Sequence, residues 1–340
     1  MASYHLSVSI MGRSDGRSAV AAAAYRAGAA MIEAETGRVI DYTRKGGIVA
    51  AEIIAPDGAP EWATDRDALW NAVHAKEKRT NSQLAREIEL ALPLELDPAA
   101  RADLVRGWVR AECVSQGMIA DIAIHDPDPA PGRSRNPHAH VMLTMRPLDP
   151  AAADGWAKNK NRDWNAPDLL ERWRASWAEA QNTALKEAEA SARVDHRSLT
   201  DQRTAALAEG DDLLALVLDR PPEPRLGVAA TAIEKRAAMD GATGPVTDRG
   251  RAVARSRTLR SRLLSALTAA RKASRTIANA VRSEPRRSRR DPIADLQAWR
   301  RDQAETDSPA LADAPDVIPD APPDDPADDP PPPDDEPSGP

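Results

Sequence analysis

Three of the six histidines lie in one short stretch of the chain and could together bind a metal ion. His138 and His140 are two residues apart in NPHAHVML, so on a β-strand their side chains would point to the same face. His125, at the end of a neighbouring strand, would supply a third imidazole. Three neutral imidazoles leave positions on a divalent ion open to a substrate, which is typical of catalytic sites. Three separate surface histidines are the alternative, and the clustering weighs against it.

Three further side chains could complete a reactive site. Tyr25, in SAVAAAAYRAG, is a candidate nucleophile because a phenol that attacks a phosphodiester forms a phosphotyrosine that keeps the bond energy. A tyrosine that only packs in the core is the alternative. Glu87 and Glu89, in REIELALP, share one face of a strand. They could orient an imidazole, bind the metal or accept the tyrosine proton, or they could simply be solvated.

The elements that must hold these residues alternate between strands and helices. Residues 4–10 show the period-2 pattern of a half-buried strand, and an alanine-rich helix that Ser18 could cap carries Tyr25. A hairpin-like stretch is expected around residues 37–47. Further strands are predicted at 48–54, 86–92, 119–125 and 138–145, with helices at 60–78 and 98–116. This order predicts an α+β domain with a mainly antiparallel sheet flanked by helices.

The second half of the chain reads as helical and then unstructured. Helices are predicted at 168–192, 212–218 and 227–238, and one or two more in the basic segment that follows Asp248. The tail is rich in Asp, Pro and Ala, cannot bury enough apolar area, and should be disordered. We therefore expect a catalytic domain at 1–200, a helical, arginine-rich DNA-binding or interaction region at 201–300, and an acidic tail at 301–340.

Charge is distributed unevenly along the chain. The net charge is −7, but residues 302–340 carry thirteen acidic and no basic side chains. The remainder is therefore net positive, with fourteen Arg and Lys against one Glu between residues 249 and 290. This density is typical of phosphate binding and makes nucleic acid a candidate partner. The single cysteine excludes an internal disulfide, and the sequence has neither a signal peptide nor an apolar run that could span a bilayer. We expect a cytoplasmic protein with no membrane insertion.

Seven segments resemble, in the same order, the MobA/MobL family of plasmid mobilisation relaxases within the HUH endonuclease class. They lie between about residues 1 and 240: YHLSVS, SAVAAAAYRAG, DYTRKGGIV, NSQLAREIELALP, IHD, NPHAHVMLTMR and VDHRSL. The resemblance implies a conjugative relaxase that nicks one DNA strand at an origin of transfer, forms a 5′-phosphotyrosine adduct and later rejoins the strand.

The same resemblance implies roles for individual residues. Tyr25 would be the nucleophile, His125, His138 and His140 would bind Mg²⁺ or Mn²⁺, and Glu87 or Glu89 would assist. Other transition metals are compatible with three imidazoles. His196 and Arg197, in the DHR segment, would contact DNA or pack.

Several basic residues are candidates for phosphate contacts with plasmid DNA: Arg26, Arg44, Lys45, Arg133 and Arg135. The relaxase role also implies accessory mobilisation proteins and a type IV secretion coupling protein as partners, and transfer of the protein to a recipient cell on the DNA. The sequence contains no GxxxxGK[ST] motif, so we predict no ATP-driven unwinding.

Three other functions fit parts of this pattern. A rolling-circle replication initiator shares the chemistry, but in that class the tyrosine follows the histidines. A non-catalytic DNA-binding accessory protein would need neither the tyrosine nor three histidines. A metal-dependent phosphodiesterase that uses water would form no covalent adduct.

Overall fold

The structure is a computed structural model that describes residues 4–128, 135–283, 293, 296–297 and 299–301. Its strands are β1 Leu6–Gly12, β2 Ala30–Glu33, β3 Arg38–Asp41, β4 Ile48–Ile54, β5 Gln83–Ala91, β6 Ala120–His125 and β7 His138–Thr144. Its helices are α1 Ala19–Ala27, α2 Arg66–Lys76, α3 Pro98–Glu112, α4 Pro167–Glu187, α5 Leu199–Ala208, α6 Asp212–Leu218, α7 Val228–Met239 and α8 Asp248–Ser283. The described residues divide into two compact units, with the boundary between His196 and Arg197.

The first unit is built on a five-stranded sheet in the order β1-β5-β7-β6-β4. Every neighbouring pair in it is antiparallel. A second, two-stranded sheet pairs β2 with β3. The large sheet with its flanking helices confirms the predicted α+β architecture.

Apolar packing on one face of the large sheet comes from α3 and α4. Alternate strand residues such as Ile88 and Val141 are fully buried there with three tryptophans of the two helices, Trp108, Trp173 and Trp177. The opposite face is covered in part by α1 and α2, and Met142 of β7 packs there with Trp70 of α2. Since side chains alternate along a strand, His138 and His140 lie on this second face, opposite to Ala139 and Val141.

Helix α1 has clear start and stop signals. The Ser18 side chain accepts a hydrogen bond from the backbone N–H of Ala21, as an N-cap does. Gly28 ends the helix in the left-handed conformation, with φ of 60°. The Ile48 side chain lies against this position, and the left-handed conformation is what favours glycine there.

The second unit begins at Arg197 and is helical in its described residues. Helices α5 and α6 pack through Ala206, Ala215 and Leu218, while Leu263 and Leu267 of α8 pack against Val217 of α6. Arginines of α8 remain exposed on the solvent side of the helix, among them Arg251, Arg255 and Arg262.

The structure differs from the predicted set of elements at the hairpin and at helix α5. The hairpin was expected at residues 37–47, but it is formed by β2 and β3 and so begins earlier in the chain. Met31 of β2 and Ile40 of β3 are direct partners in this hairpin, and both are buried beside α1. Helix α5 was not predicted, since its sequence LTDQRTAALA has little apolar periodicity. The basic segment, for which one or two helices were predicted, forms one helix as far as Ser283.

Two predictions fall outside the part of the chain that the structure describes. Arg133 is not among the described residues, and neither is the acidic segment after Arg301. The expected disorder of that segment stays a prediction. Among the described helices, none combines the length and the apolarity that a membrane span needs.

Candidate active site

Strand register brings the three histidines into one cluster. His125 of β6 is the direct partner of His138 in the β6–β7 ladder, and His140 is two residues further along β7. The three ring centroids are 5.0 to 5.2 Å apart. All three side chains are buried, and one ring nitrogen from each lies within 4.8 Å of the other two. The cluster can therefore hold a divalent metal ion.

Each imidazole is oriented by an oxygen outside the cluster. Nε2 of His125 donates to the backbone carbonyl of Arg26 over 2.7 Å, and Nδ1 of His138 donates to the carbonyl of Asn136 over 2.8 Å. Nδ1 of His140 donates to Oε1 of Glu87 over 3.0 Å. A ring nitrogen facing a carbonyl or carboxylate must carry the proton, so in a neutral ring the other nitrogen keeps its lone pair. This is the outer-shell arrangement of metal-binding histidines.

The protonation state of His125 also suits metal binding. Burial lowers the pKa of His125 to about 3, and the neighbouring His140, Lys45 and His138 act in the same direction against the hydrogen bond to Arg26. The imidazole is therefore neutral at pH 7, the form that binds metals. Three buried imidazoles whose ring nitrogens lie this close together fit a late transition metal best and also accept Mn²⁺.

Glu87 links the histidine cluster to the helix that carries Tyr25. Its carboxylate forms a two-pronged ion pair with the Arg26 guanidinium, in which Nε donates to Oε1 and Nη2 donates to Oε2 over 2.6 Å. Burial alone would raise the pKa of Glu87, but the charge of Arg26 and the hydrogen bonds from His140 and Arg26 outweigh it and lower the pKa to about 2. Glu87 is therefore a fixed anion that orients His140.

Glu89 occupies a different environment from Glu87, although the sequence presented them as a pair. Glu89 lies directly opposite His140 in the β5–β7 ladder and directly opposite Ser7 in the β1–β5 ladder. Its side chain is only half-buried, whereas Glu87 is buried. Glu89 therefore lies on the same face of the sheet as His140 and is partly open to solvent.

Tyr25 lies next to Arg26 in the last turn of α1 and is 7% exposed. The Tyr42 ring meets the Tyr25 ring edge-on, with 5.0 Å between centroids. The Lys45 ammonium lies 3.6 Å from the centroid of the Tyr25 ring. Because the charge of Lys45 also acts on His125, the tyrosine and the histidine cluster share one neighbourhood.

The other predicted DNA contacts lie in varied places. Arg44 is exposed, and Arg135 is 55% exposed and forms a two-pronged ion pair with the buried Asp126 beside His125. Arg26 is buried, so a phosphate contact would require its ion pair with Glu87 to open.

His196 is not brought to the histidine cluster. His196 Nε2 lies 3.4 Å from Glu171 of α4, a helix that packs on the opposite face of the sheet, and Arg197 is exposed. Sequence reasoning missed Tyr42 altogether and treated Lys45 only as a phosphate contact. The DYTRKGG segment that holds both is the one signal that could have drawn attention to them.

Comparison with known proteins identifies the family of this chain. Residues 17–236 match the MobA/MobL family. The chain belongs to the MobA/MobL family. The mobilisation protein MobL of Acidithiobacillus ferridurans is 36% identical over 264 residues, which cover 69% of this chain and 65% of the relative. The conjugal transfer protein TraA of Agrobacterium fabrum is 36% identical over 271 residues, which cover 71% of this chain and 22% of the relative.

A solved structure described as "Molecular Basis of Vancomycin Resistance Transfer in Staphylococcus aureus" has a similar fold. It superimposes with a TM-score of 0.53 and 33% identity, and it covers 58% of this chain and 100% of its own. The MobA/MobL chain thus spans just under two thirds of its MobL relative and about a fifth of the TraA relative.

Proposed function

We propose that this MobA/MobL protein is a conjugative relaxase that nicks one strand of plasmid DNA at an origin of transfer. The observation that carries the proposal is the junction at Tyr25 and Arg26. A potential nucleophile precedes the residue that binds His125 through its carbonyl and Glu87 through its guanidinium. The names of the relatives, which concern mobilisation and conjugal transfer, support the same role.

In the proposed reaction the Tyr25 oxygen attacks the scissile phosphate in line. One phosphorus–oxygen bond forms to tyrosine, and the bond to the 3′ oxygen of the preceding nucleotide breaks. The phenol loses one proton and the departing oxygen gains one, so the step is neutral overall and leaves a 5′-phosphotyrosine and a 3′-hydroxyl. Reversal by a 3′-hydroxyl rejoins the strand, and because the bond energy is kept, no ATP is needed.

The three histidines would hold the divalent ion at the scissile phosphate. When bound, such an ion supplies Lewis-acid polarisation of the phosphate and offsets charge on its oxygens. His125 stays neutral and ligand-ready because it is buried, and Glu87 holds His140 through its ring proton. The three imidazoles would bind a later transition metal more tightly, but we propose Mg²⁺ or Mn²⁺ as the native ion because the resemblance to the family implies it.

The two glutamates have separate proposed roles. Glu87, with a pKa of about 2 and two hydrogen bonds from Arg26, is a weak base and an orienting group. Glu89, half-buried on the same face, is the better candidate to receive the phenol proton. Arg44 and Arg135, with Arg133, are proposed to contact the strand that enters the site.

For the whole chain we propose a nicking domain at 1–200, a DNA-binding or interaction region at 201–300 and an acidic tail at 301–340. The exposed arginines of α8 support phosphate binding by the second region. Accessory mobilisation proteins and a coupling protein of a type IV secretion system are the further partners that this role requires.

The test is covalent capture of DNA. The full chain is incubated with Mn²⁺ and a 5′-unlabelled, 3′-labelled single-stranded oligonucleotide that carries the cognate nick site, and the products are separated on a denaturing gel. Tyr25→Phe should abolish the labelled band at protein mass, since it removes only the attacking oxygen. Tyr4→Phe is the matched control, because the Tyr4 hydroxyl donates to the Arg174 carbonyl of α4 on the other face of the sheet.

Two outcomes would contradict the proposal. Cleavage that survives Tyr25→Phe without any adduct would indicate a nuclease that uses water. Equal loss of the adduct in Tyr4→Phe and Tyr25→Phe, with both proteins folded, would mean that the phenol of Tyr25 has no special role.

A further inference from the structure

The loop that carries Lys45 is fixed at both ends to the elements of the active site. At its start, the Tyr42 backbone N–H donates to the Ala29 carbonyl just beyond α1, over 3.2 Å. At its end, the Gly47 carbonyl accepts from the Asp126 N–H over 2.8 Å, one residue after His125. The loop therefore joins the end of the nucleophile helix to the end of the strand that supplies a metal ligand.

The loop itself is a closed turn. The Lys45 backbone N–H donates to the Tyr42 carbonyl over 2.9 Å, and Asp41 accepts from both the N–H and the hydroxyl of Thr43. Gly47 follows with φ of 80°, and a Cβ there would lie 2.9 Å from the backbone of Pro127. From this closed turn the Lys45 side chain reaches the ring of Tyr25.

The contact between Lys45 and Tyr25 is a face contact. The ammonium lies over the ring at 3.6 Å from its centroid, well inside the 6 Å at which a cation is attracted to an aromatic face. Tyr42 supports the same ring edge-on. Two side chains of one loop thus enclose the ring of the candidate nucleophile.

We propose that Lys45 is a positioning residue for Tyr25: its ammonium, over the ring face, fixes the phenol relative to the histidine cluster and stabilises negative charge on the attacking oxygen. This inference rests on the proposed function. A cation over the ring is attracted more strongly as electron density increases on the phenol oxygen, so the contact is stronger in the transition state than in the resting enzyme. Such an interaction changes the rate of the step and not the affinity for DNA.

A simple phosphate contact, which the sequence suggested for Lys45, would behave differently. A lysine that binds only the DNA backbone contributes to binding in a salt-dependent way and leaves the rate at saturating DNA unchanged. The two roles therefore separate in a comparison of rate with affinity.

The experiment uses the full chain and four variants. Lys45→Met removes the charge but keeps the length of the side chain, and Lys45→Arg keeps the charge. Lys76→Met is the control, because Lys76 lies on α2 and pairs with Asp154 outside the site. Tyr25→Phe defines zero adduct. Oligonucleotide affinity is measured by fluorescence anisotropy without metal, and adduct formation is measured under single-turnover conditions with Mn²⁺ at saturating oligonucleotide.

We expect Lys45→Met to lower the single-turnover rate about 30-fold while oligonucleotide Kd changes by less than about three-fold. Lys45→Arg should recover most of the rate, and Lys76→Met should match wild type. A structural readout accompanies these rates: in protein labelled at its three tyrosines, Lys45→Met should move the ring signal that Tyr25→Phe removes and leave the Tyr4 signal in place.

Three results would overturn the inference. An unchanged rate in Lys45→Met would do so, and so would a loss confined to Kd, which would make Lys45 a phosphate contact. An unmoved Tyr25 signal would contradict the ring contact itself. Absence of any adduct in wild type is a separate result, because it removes the proposed function and the inference falls with it.

Discussion

The two faces of the five-stranded sheet are both covered by helices, but the helices present different side chains to it. On the face of α3 and α4, three tryptophans pack with aliphatic strand residues. On the face of α1, the helix contributes a run of alanines, and the sheet contributes His138, His140 and Glu87. Small side chains let a helix lie close to a sheet, so Arg26 can reach Glu87 from α1. One face of the sheet is therefore packed by large apolar side chains, and the other carries the hydrogen-bonded histidines and glutamate of the site.

The comparison predicts that damage to the α4 face lowers stability without harming the metal site. Trp177 is fully buried and packs against Trp108, with 5.5 Å between ring centroids. Trp177→Ala should lower the free energy of unfolding by about 3–5 kcal/mol, measured by urea denaturation. At a temperature where the variant is folded, Mn²⁺ affinity should be unchanged. A large loss of affinity there would mean that the faces are coupled.

On the face that carries the histidines, removal of one imidazole should lower Mn²⁺ affinity. His140→Ala takes away one of three predicted ligands and should weaken Mn²⁺ binding at least about 100-fold in isothermal titration calorimetry. His196→Ala is the control, since His196 contacts Glu171 of α4 and not the cluster. Equal loss in both variants would contradict the assigned cluster.

A smaller effect is expected from the group that holds His140. Glu87→Gln keeps the shape of the side chain but removes the negative charge of the carboxylate, which accepts a hydrogen bond from His140 and pairs with Arg26. This substitution should weaken Mn²⁺ binding about 10- to 100-fold. Glu89→Gln, on the same strand face but half-buried, should change metal affinity by less than about three-fold. The opposite ranking would mean that Glu89, and not Glu87, orients His140.

The smallest effect concerns acid and the metal-free protein. The pKa of His125 is about 3 in the folded chain, below the ordinary value near 6.5, so on acidification the unfolded chain takes up this proton first. Its contribution to stability is fully present above about pH 6.5 and declines toward pH 3, by up to about 1.4 kcal/mol per pH unit. Glu87 adds a similar loss from about pH 4.5 toward 2. Urea titrations of wild type and His125→Gln at pH 7.0 and 5.5 would measure this, and an identical change in both would contradict it.

Much of this fold could be predicted because its signals are local. Strand β4 at Ile48–Ile54 and helix α6 at Asp212–Leu218 have the predicted bounds, since alternation and helical periodicity lie within single segments. The proximity of His138 and His140 follows from strand geometry alone. Helix α5 has too weak an apolar period to be seen, and β2 continues an alanine-rich stretch that resembles helix.

The parts of the site that escaped prediction depend on contacts between distant segments. Glu87 and Glu89 are equivalent in sequence, and only the position of α1 over β5 gives Glu87 the guanidinium of Arg26. The place of Lys45 over Tyr25 depends on backbone hydrogen bonds that tie Tyr42 to Ala29 and Gly47 to Asp126, which lie far apart in the sequence.

Arg26 has a mechanical consequence as the neighbour of Tyr25. Its carbonyl accepts a hydrogen bond from His125 of β6, and its guanidinium donates two hydrogen bonds to Glu87 of β5. One residue therefore fastens the end of α1 to two strands of the sheet. A pull on the Tyr25 side chain would therefore be passed to two strands of the sheet as well as to the helix backbone. A DNA strand joined covalently to Tyr25, as proposed above, would be held at a helix end that is fastened to the sheet.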